Sequence, residues 1–107
     1  MEIRPRILRN YLTADGVDPF HSWIRAIRDG AARGIVRTRL TRVEQGNLGD
    51  CAPVGDGVYE LRIDFGPGYR IYFGEDGDEV VLLGGGTKNT QVSDIKKAKD
   101  RWSDYNA

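Results

Sequence analysis

Two short segments between Gly57 and Phe73, joined by a glycine-proline turn, place charged and apolar side chains at opposite parities. Because successive side chains of a β-strand point to opposite faces, this pattern predicts a hairpin with one apolar face and one charged face. Such a charged face could bind an anion and transfer protons. The residues of the charged parity that could do this chemistry are Glu60, Arg62, Asp64, Arg70 and Tyr72.

The turn decides which residues of the two strands lie opposite each other. Both apolar sets share one face only if the loop is odd, and the loop 66–68 then predicts Asp64 opposite Arg70 and Arg62 opposite Tyr72. Asp64 and Arg70 could alternatively form only a surface ion pair worth less than about 1 kcal/mol. Tyr72 could alternatively be a sheet residue covered by the last helix.

Length and composition limit the remaining possibilities. A chain of 107 residues predicts one domain, residues 1–107, with one hydrophobic core. Cys51 is the single cysteine and His21 the single histidine, which excludes a disulfide framework and disfavours a metal centre. The sequence has no apolar run of membrane-spanning length, and charges interrupt its N-terminal segment. We therefore expect a cytoplasmic protein with no metal, no cofactor and no membrane contact.

The charge is balanced overall but unevenly distributed. Sixteen basic and sixteen acidic residues give no net field that would attract nucleic acid. Arginines are concentrated in residues 25–42, where Arg33 and Arg37 are candidates for phosphate contact with RNA. The alternative is that these arginines form a solvated helix face.

Capping residues and hydrophobic periodicity predict the order of elements. The prediction is a strand over 2–12, a helix from Asp18 to Gly30, a helix over 31–45, a loop over 47–56, the hairpin, a strand over 79–83 ending at three glycines, and a helix from about Ser93. Pro5 favours a sheet edge for the first strand. The order predicts an α+β fold: an N-terminal strand, an antiparallel helical hairpin, a three-stranded antiparallel segment that completes a four-stranded sheet, and a C-terminal helix.

The runs YELRIDFGPGYRIYF and VVLLGGGTKNTQVSDIKKAK, together with this order of elements, resemble the RelE/ParE superfamily of bacterial toxins. The resemblance is greatest to the branch called addiction module killer proteins, which is related to HigB. It implies a RelE-like fold and the toxin of a type II toxin-antitoxin system of the plasmid-stabilisation kind. Ribonuclease members inhibit translation by cutting messenger RNA without a metal, using the ribose 2′-hydroxyl to attack the adjacent phosphate.

The resemblance also implies roles for individual residues. Arg70 corresponds to a phosphate-stabilising arginine, Arg62 stands where ribonuclease members carry a strand lysine, and Lys88 lies near a basic position after the last strand. Glu60 stands where the best-known members carry a second lysine, so we hypothesise that it is a general base, with Tyr72 or Lys88 as the acid. The remaining RNA-binding candidates are Asp64, Tyr72, Arg33 and Arg37.

The resemblance implies two partners: messenger RNA, on or off the ribosome, and a cognate antitoxin, a small helix-turn-helix protein encoded alongside. In the last helix Trp102, Lys96 and Lys99 are the candidates for antitoxin contact, because they join apolar area to positive charge. Two alternatives remain open. The chain could inhibit DNA gyrase by binding alone, as the ParE branch does, or be a degenerate non-toxic member that binds only its antitoxin.

Overall fold

The computed structural model describes residues 4–107, which form five strands and three α-helices. In chain order these are β1 (Ile7–Asn10), α1 (Pro19–Ala26), α2 (Gly30–Glu44), β2 (Cys51–Gly55), β3 (Val58–Ile63), β4 (Tyr69–Asp76), β5 (Glu79–Thr87) and α3 (Gln91–Tyr105), with a 3-10 turn (Lys88–Thr90) before α3. The strands form one mixed sheet in the order β1-β5-β4-β3-β2. The predicted α+β class is confirmed.

Local capping explains where the first two helices begin. The Asp18 side chain accepts a hydrogen bond from the backbone of His21 at 2.9 Å, and Pro19 occupies the first turn of α1. Asp29 caps α2 in the same way by accepting from the backbone N–H of Ala31 at 2.9 Å. The four residues predicted to face the core from α2 are all buried: Ala32, Val36, Leu40 and Val43.

The predicted four-stranded antiparallel sheet is wrong in two respects. The segment expected to be a loop contains β2, which pairs antiparallel with β3 at the sheet edge. Pro53 and the nearby glycines hid this strand from sequence analysis, although an edge strand tolerates proline. The other difference is that β1 runs parallel to β5. β1 does lie at an edge, as Pro5 suggested, but it is shorter than the predicted 2–12, of which residues 2 and 3 lie outside the described range.

The glycine triplet does not end the last strand, because β5 continues to Thr87. Each glycine leaves room for a side chain from a neighbouring helix. A Cβ on Gly84 would lie 2.6 Å from Arg101 Nη1, and one on Gly85 would lie 2.3 Å from the Trp23 ring. A Cβ on Gly86 would overlap the carboxylate of Asp94. The triplet therefore lets α1 and α3 approach opposite faces of the same strand.

We expect Gly85→Ala to destabilise the protein by about 1–3 kcal/mol, since the added methyl group has no space beside Trp23. Gly34→Ala is the matched control: Gly34 lies inside α2, and apart from the local backbone of this helix no atom lies within 4 Å of a Cβ built there. That substitution should stabilise by about 0.5–1 kcal/mol. Thermal unfolding of both variants measures these changes in stability. If the two variants changed stability by the same amount and in the same direction, Gly85 would not pack closely against Trp23.

Apolar residues cover both faces of the sheet. Helices α1 and α2 pack on one face, against Leu61, Ile71 and Phe73. Helix α3 packs on the other face, where Ala98 contacts a cluster that includes Tyr72. The hairpin therefore has no fully exposed charged face, because α3 covers part of it. Among residues 4–107, no helix has the length and apolar character needed to cross a membrane.

Candidate anion-binding site

The observed register of the hairpin brings two arginines together. Arg62 lies directly opposite Arg70, and Glu60 lies opposite Tyr72. The predicted pairing of Asp64 with Arg70 and of Arg62 with Tyr72 is therefore wrong by two residues. The loop is odd, as expected, but it comprises the five residues 64–68, closed by a hydrogen bond of 3.1 Å from the Gly68 N–H to the Phe65 carbonyl.

Glu60 is the centre of a buried polar cluster beneath α3. Its side chain has 0% exposure, although it is charged. One carboxylate oxygen, Oε1, accepts a hydrogen bond from Arg62 Nε at 2.9 Å. The other, Oε2, accepts from the Tyr72 hydroxyl at 3.0 Å and from Gln91 Nε2 at 2.8 Å. We call these four residues, Glu60, Arg62, Tyr72 and Gln91, the Glu60 cluster.

The cluster keeps Glu60 ionised. Burial acts to raise the pKa of Glu60, but the hydrogen bonds from Arg62, Gln91 and Tyr72 outweigh it and lower the pKa below its ordinary value. Burial and the hydrogen bond to Glu60 raise the pKa of Tyr72, so its hydroxyl remains a donor at neutral pH. A general base needs a free lone pair and an affinity for the proton. These contacts disfavour the hypothesis that Glu60 is the base.

Both arginines keep hydrogen-bonding capacity for a ligand. Arg70 is 13% exposed, and its Nε lies 3.8 Å from Glu60 Oε1, beyond hydrogen-bond distance. Arg70 Nε is buried and has no hydrogen-bond partner in the described chain. Arg62 is 42% exposed, and its two terminal nitrogens make no hydrogen bond to any residue in 4–107. A guanidinium with free terminal nitrogens can bind a phosphate through two of them.

These arginines line an open pocket of about 400 Å³ at the end of the hairpin, which we call the hairpin pocket. Its lining consists of Asp50, Arg62, Asp64, the glycine-proline turn, Arg70 and Lys88. Lys88 is exposed, and its backbone N–H donates to the Gly68 carbonyl at 2.9 Å. That bond places the basic residue after β5 beside the turn between β3 and β4. The pocket thus brings together three of the four residues predicted to be catalytic.

Of the four RNA-binding candidates, Asp64 lines this pocket and the structure separates the other three from it. Tyr72 is fully buried, so its hydroxyl cannot reach RNA while α3 is in place, and its predicted role as an RNA contact or acid is corrected. Arg33 donates to the carbonyls of Ile27 and Arg28 and so joins α2 to the end of α1. Arg37 is exposed on α2 and does not line the pocket.

The antitoxin candidates on α3 have different environments. Trp102 is half-buried and stacks on Tyr105 with ring centroids 5.3 Å apart. Lys99 lies 3.6 Å from the Asp56 carboxylate, across to the sheet. Lys96 is exposed and makes no ion pair with a described residue. Trp102 also packs against the apolar cluster between α3 and the sheet, so it helps to hold α3 in place, while Lys96 is accessible to a partner.

Two residues of the site, Gln91 and Asp50, were not predicted from the sequence. Gln91 begins α3 and binds Glu60, although the two residues lie in different elements and no local pattern connects them. Asp50 lines the pocket because its carbonyl accepts from the Arg62 N–H at 2.9 Å. Arg39 reinforces this loop by donating to the carbonyls of Asp50 and Arg62. Recognition of β2 as a strand would have placed Asp50 beside Arg62.

Comparison with known proteins places the chain beside one bacterial relative. No family model matches the sequence. Over 81 residues the chain is 46% identical to an uncharacterized protein of Haemophilus influenzae. The aligned region covers 75% of this chain and 82% of that protein. This degree of identity over most of both sequences establishes common descent, and the chain belongs to the same protein family as the Haemophilus influenzae protein.

Proposed function

We propose that this protein is the toxin of a type II toxin-antitoxin module and that it cuts messenger RNA in the cytoplasm without a metal. The observation that carries the proposal is the hairpin pocket, in which Arg62, Arg70 and Lys88 surround a space with room for a phosphate group. The resemblance of the hairpin and the following helix to RelE/ParE toxins supports the same function.

The pocket suits the charge that develops during RNA cleavage. Attack of a 2′-hydroxyl on the adjacent phosphate adds negative charge to the phosphate oxygens. Positively charged donors that are already in place stabilise such a transition state more than they stabilise the substrate. Arg70, which is mostly buried, and Arg62 beside it supply these donors.

Proton transfer requires a base and an acid beside the phosphate. Asp50 and Asp64 are exposed carboxylates that line the pocket, so either could take the proton of the 2′-hydroxyl. Lys88 is exposed at the same pocket and could donate a proton to the departing 5′-oxygen. The products would carry a 2′,3′-cyclic phosphate and a 5′-hydroxyl.

A co-encoded antitoxin would be the second partner. Lys96 and Lys97 lie exposed on α3, beside the more buried Lys99. An acidic segment of a partner could bind this basic surface, and charge complementarity would accelerate association. This assignment predicts that reversal of the charges at Lys96 and Lys97 weakens the complex while the protein stays folded.

The hydrogen bonds that Glu60 accepts favour a second candidate function, which is inhibition of a target by binding alone. The carboxylate held deepest in the hairpin accepts three hydrogen bonds, from Arg62, Tyr72 and Gln91, so the pocket resembles an anion-binding site in which Glu60 is not available as the base. A gyrase inhibitor of the ParE kind would act without proton transfer.

Induction of the protein in bacteria distinguishes these functions. We expect growth arrest, rapid cleavage of messenger RNA and intact chromosomal DNA. Trapped gyrase complexes and a DNA-damage response, with stable messages, would instead support the inhibitor. Normal growth with a well-expressed, folded protein would contradict both the ribonuclease and the gyrase inhibitor. The remaining hypothesis would be a non-toxic protein that only binds its antitoxin.

A further inference from the structure

The pairing of Arg62 with Arg70 is unfavourable by itself. Like charges directly opposite each other on neighbouring strands destabilise a sheet. Arg70 is also largely withdrawn from water, which normally disfavours a charged group unless a counter-charge is near. The fold must therefore contain a feature that holds both guanidinium groups at this position.

Glu60 is that counter-charge. The single oxygen Oε1 lies 2.9 Å from Arg62 Nε and 3.8 Å from Arg70 Nε. Both arginines therefore approach the carboxylate through the Nε side of the guanidinium group. The terminal nitrogens are left for other partners, and within the described residues only Arg70 Nη1 has one, the Tyr69 carbonyl at 3.2 Å.

The second oxygen of Glu60 fixes the carboxylate from the opposite side. Tyr72 and Gln91 both donate to Oε2, and Gln91 belongs to the first turn of α3. With donors on both oxygens, the carboxylate cannot rotate to follow a moving arginine. The orientation of Arg62 therefore depends on the docking of α3 as well as on the hairpin.

We propose that Glu60 is a positioning residue that aligns Arg62 and Arg70 to bind one phosphate of a nucleic acid backbone between them. The use of this alignment in cleavage rests on the proposed function, whereas phosphate binding itself does not. The positioning role predicts the opposite change in anion binding from a simple charge effect of Glu60. Removal of a nearby negative charge would ordinarily strengthen anion binding, but loss of the alignment would weaken it.

The test is Glu60→Gln, which keeps the size of the side chain and removes its charge. Binding of inorganic phosphate and of a single-stranded deoxyoligonucleotide, which has no 2′-hydroxyl and cannot be cleaved, is measured by titration. We expect binding to weaken about tenfold. Glu79→Gln is the matched control, because it also removes a carboxylate from an arginine, Arg9, at 2.7 Å. We expect phosphate binding by this control to change less than twofold.

Arginine side-chain NMR supplies a readout that does not depend on any variant. In the wild-type protein we expect the Arg62 Nε–Hε signal to exchange slowly with water, because Glu60 accepts that hydrogen. Added phosphate should shift the terminal nitrogens of both Arg62 and Arg70. Fast exchange of the Arg62 signal, or phosphate shifts at only one arginine or at neither, would overturn the proposal even if Glu60→Gln failed to fold.

Two results of the titration would also overturn it. Unchanged binding by Glu60→Gln would show that Glu60 does not align the arginines, and loss of RNA cleavage by the same variant in a separate assay would then identify Glu60 as a general base. Tighter binding would show that Glu60 acts only as a repelling charge. Neither titration measures toxicity, so the two proposals can fail separately. If the protein were not toxic but bound phosphate as expected, the proposed function would be wrong and the positioning role of Glu60 would stand.

Discussion

Replacement of Arg70 by alanine is expected to abolish toxicity and to slow RNA cleavage by about a hundredfold or more. Arg70 is the most buried cation of the hairpin pocket, and its Nε has no hydrogen-bond partner among residues 4–107. A donor in that state interacts strongly with a developing charge, since little water screens it. Growth after induction and cleavage by the purified variant measure the effect.

The fold should tolerate this change. Glu60 would still accept hydrogen bonds from Arg62, Tyr72 and Gln91, so no buried carboxylate would be left unpaired. Arg9→Ala is the control, because it removes an exposed arginine that is paired with Glu79 at the β1 edge of the sheet, outside the hairpin. Equal toxicity of wild type and a folded Arg70→Ala variant would exclude Arg70 from the mechanism.

Replacement of Trp102 by alanine is expected to destabilise the protein by about 3 kcal/mol, the lower end for loss of a large aromatic side chain, because Trp102 is only half-buried. The indole lies over two glycines of the sheet. A Cβ on Gly74 would lie 2.6 Å from its ring, and one on Gly57 would lie 2.8 Å from its Nε1. Hydrogen exchange should show faster opening of α3 and of the strand segments beneath it.

Val92→Ala is the matched control on the same helix. Val92 is 87% exposed, so its replacement should change the unfolding temperature very little. If Trp102→Ala proved as stable as Val92→Ala, α3 would not be held by this contact. The expected instability also means that loss of antitoxin binding by Trp102→Ala cannot define the antitoxin site. Lys96 and Lys97 are better positions for that purpose, because both are exposed.

The sequence predicted best what depends on neighbouring residues. Asp18 and Pro19 identify the start of α1, and the spacing of buried residues identifies α2, because capping and periodicity are local properties. The assignment of alternate hairpin residues to the two faces of the sheet was also correct, and it placed Glu60, Arg62 and Arg70 on one face. Those three residues interact directly in the structure, where both arginines approach Glu60.

The errors concern contacts between distant segments. The register was wrong because Asp64 and Phe65 fit an alternating strand as well as a turn. The triplet beginning at Gly84 looked like a strand end because the sequence does not show which side chains fill the space above it. The burial of Glu60 depends on how α3 docks, and that docking involves Gln91, which is 31 residues away.

The most direct test of the central claim is an analysis of RNA ends. Purified protein is incubated with messenger RNA in two settings, alone in the presence of EDTA and with translating ribosomes in magnesium-containing buffer, and the new ends are identified chemically. We predict 2′,3′-cyclic phosphate and 5′-hydroxyl ends with wild type and Arg9→Ala, reduced about a hundredfold or more with Arg70→Ala. The absence of new ends in both settings, or equal cleavage by Arg70→Ala, would contradict the assignment of the hairpin pocket as a ribonuclease site.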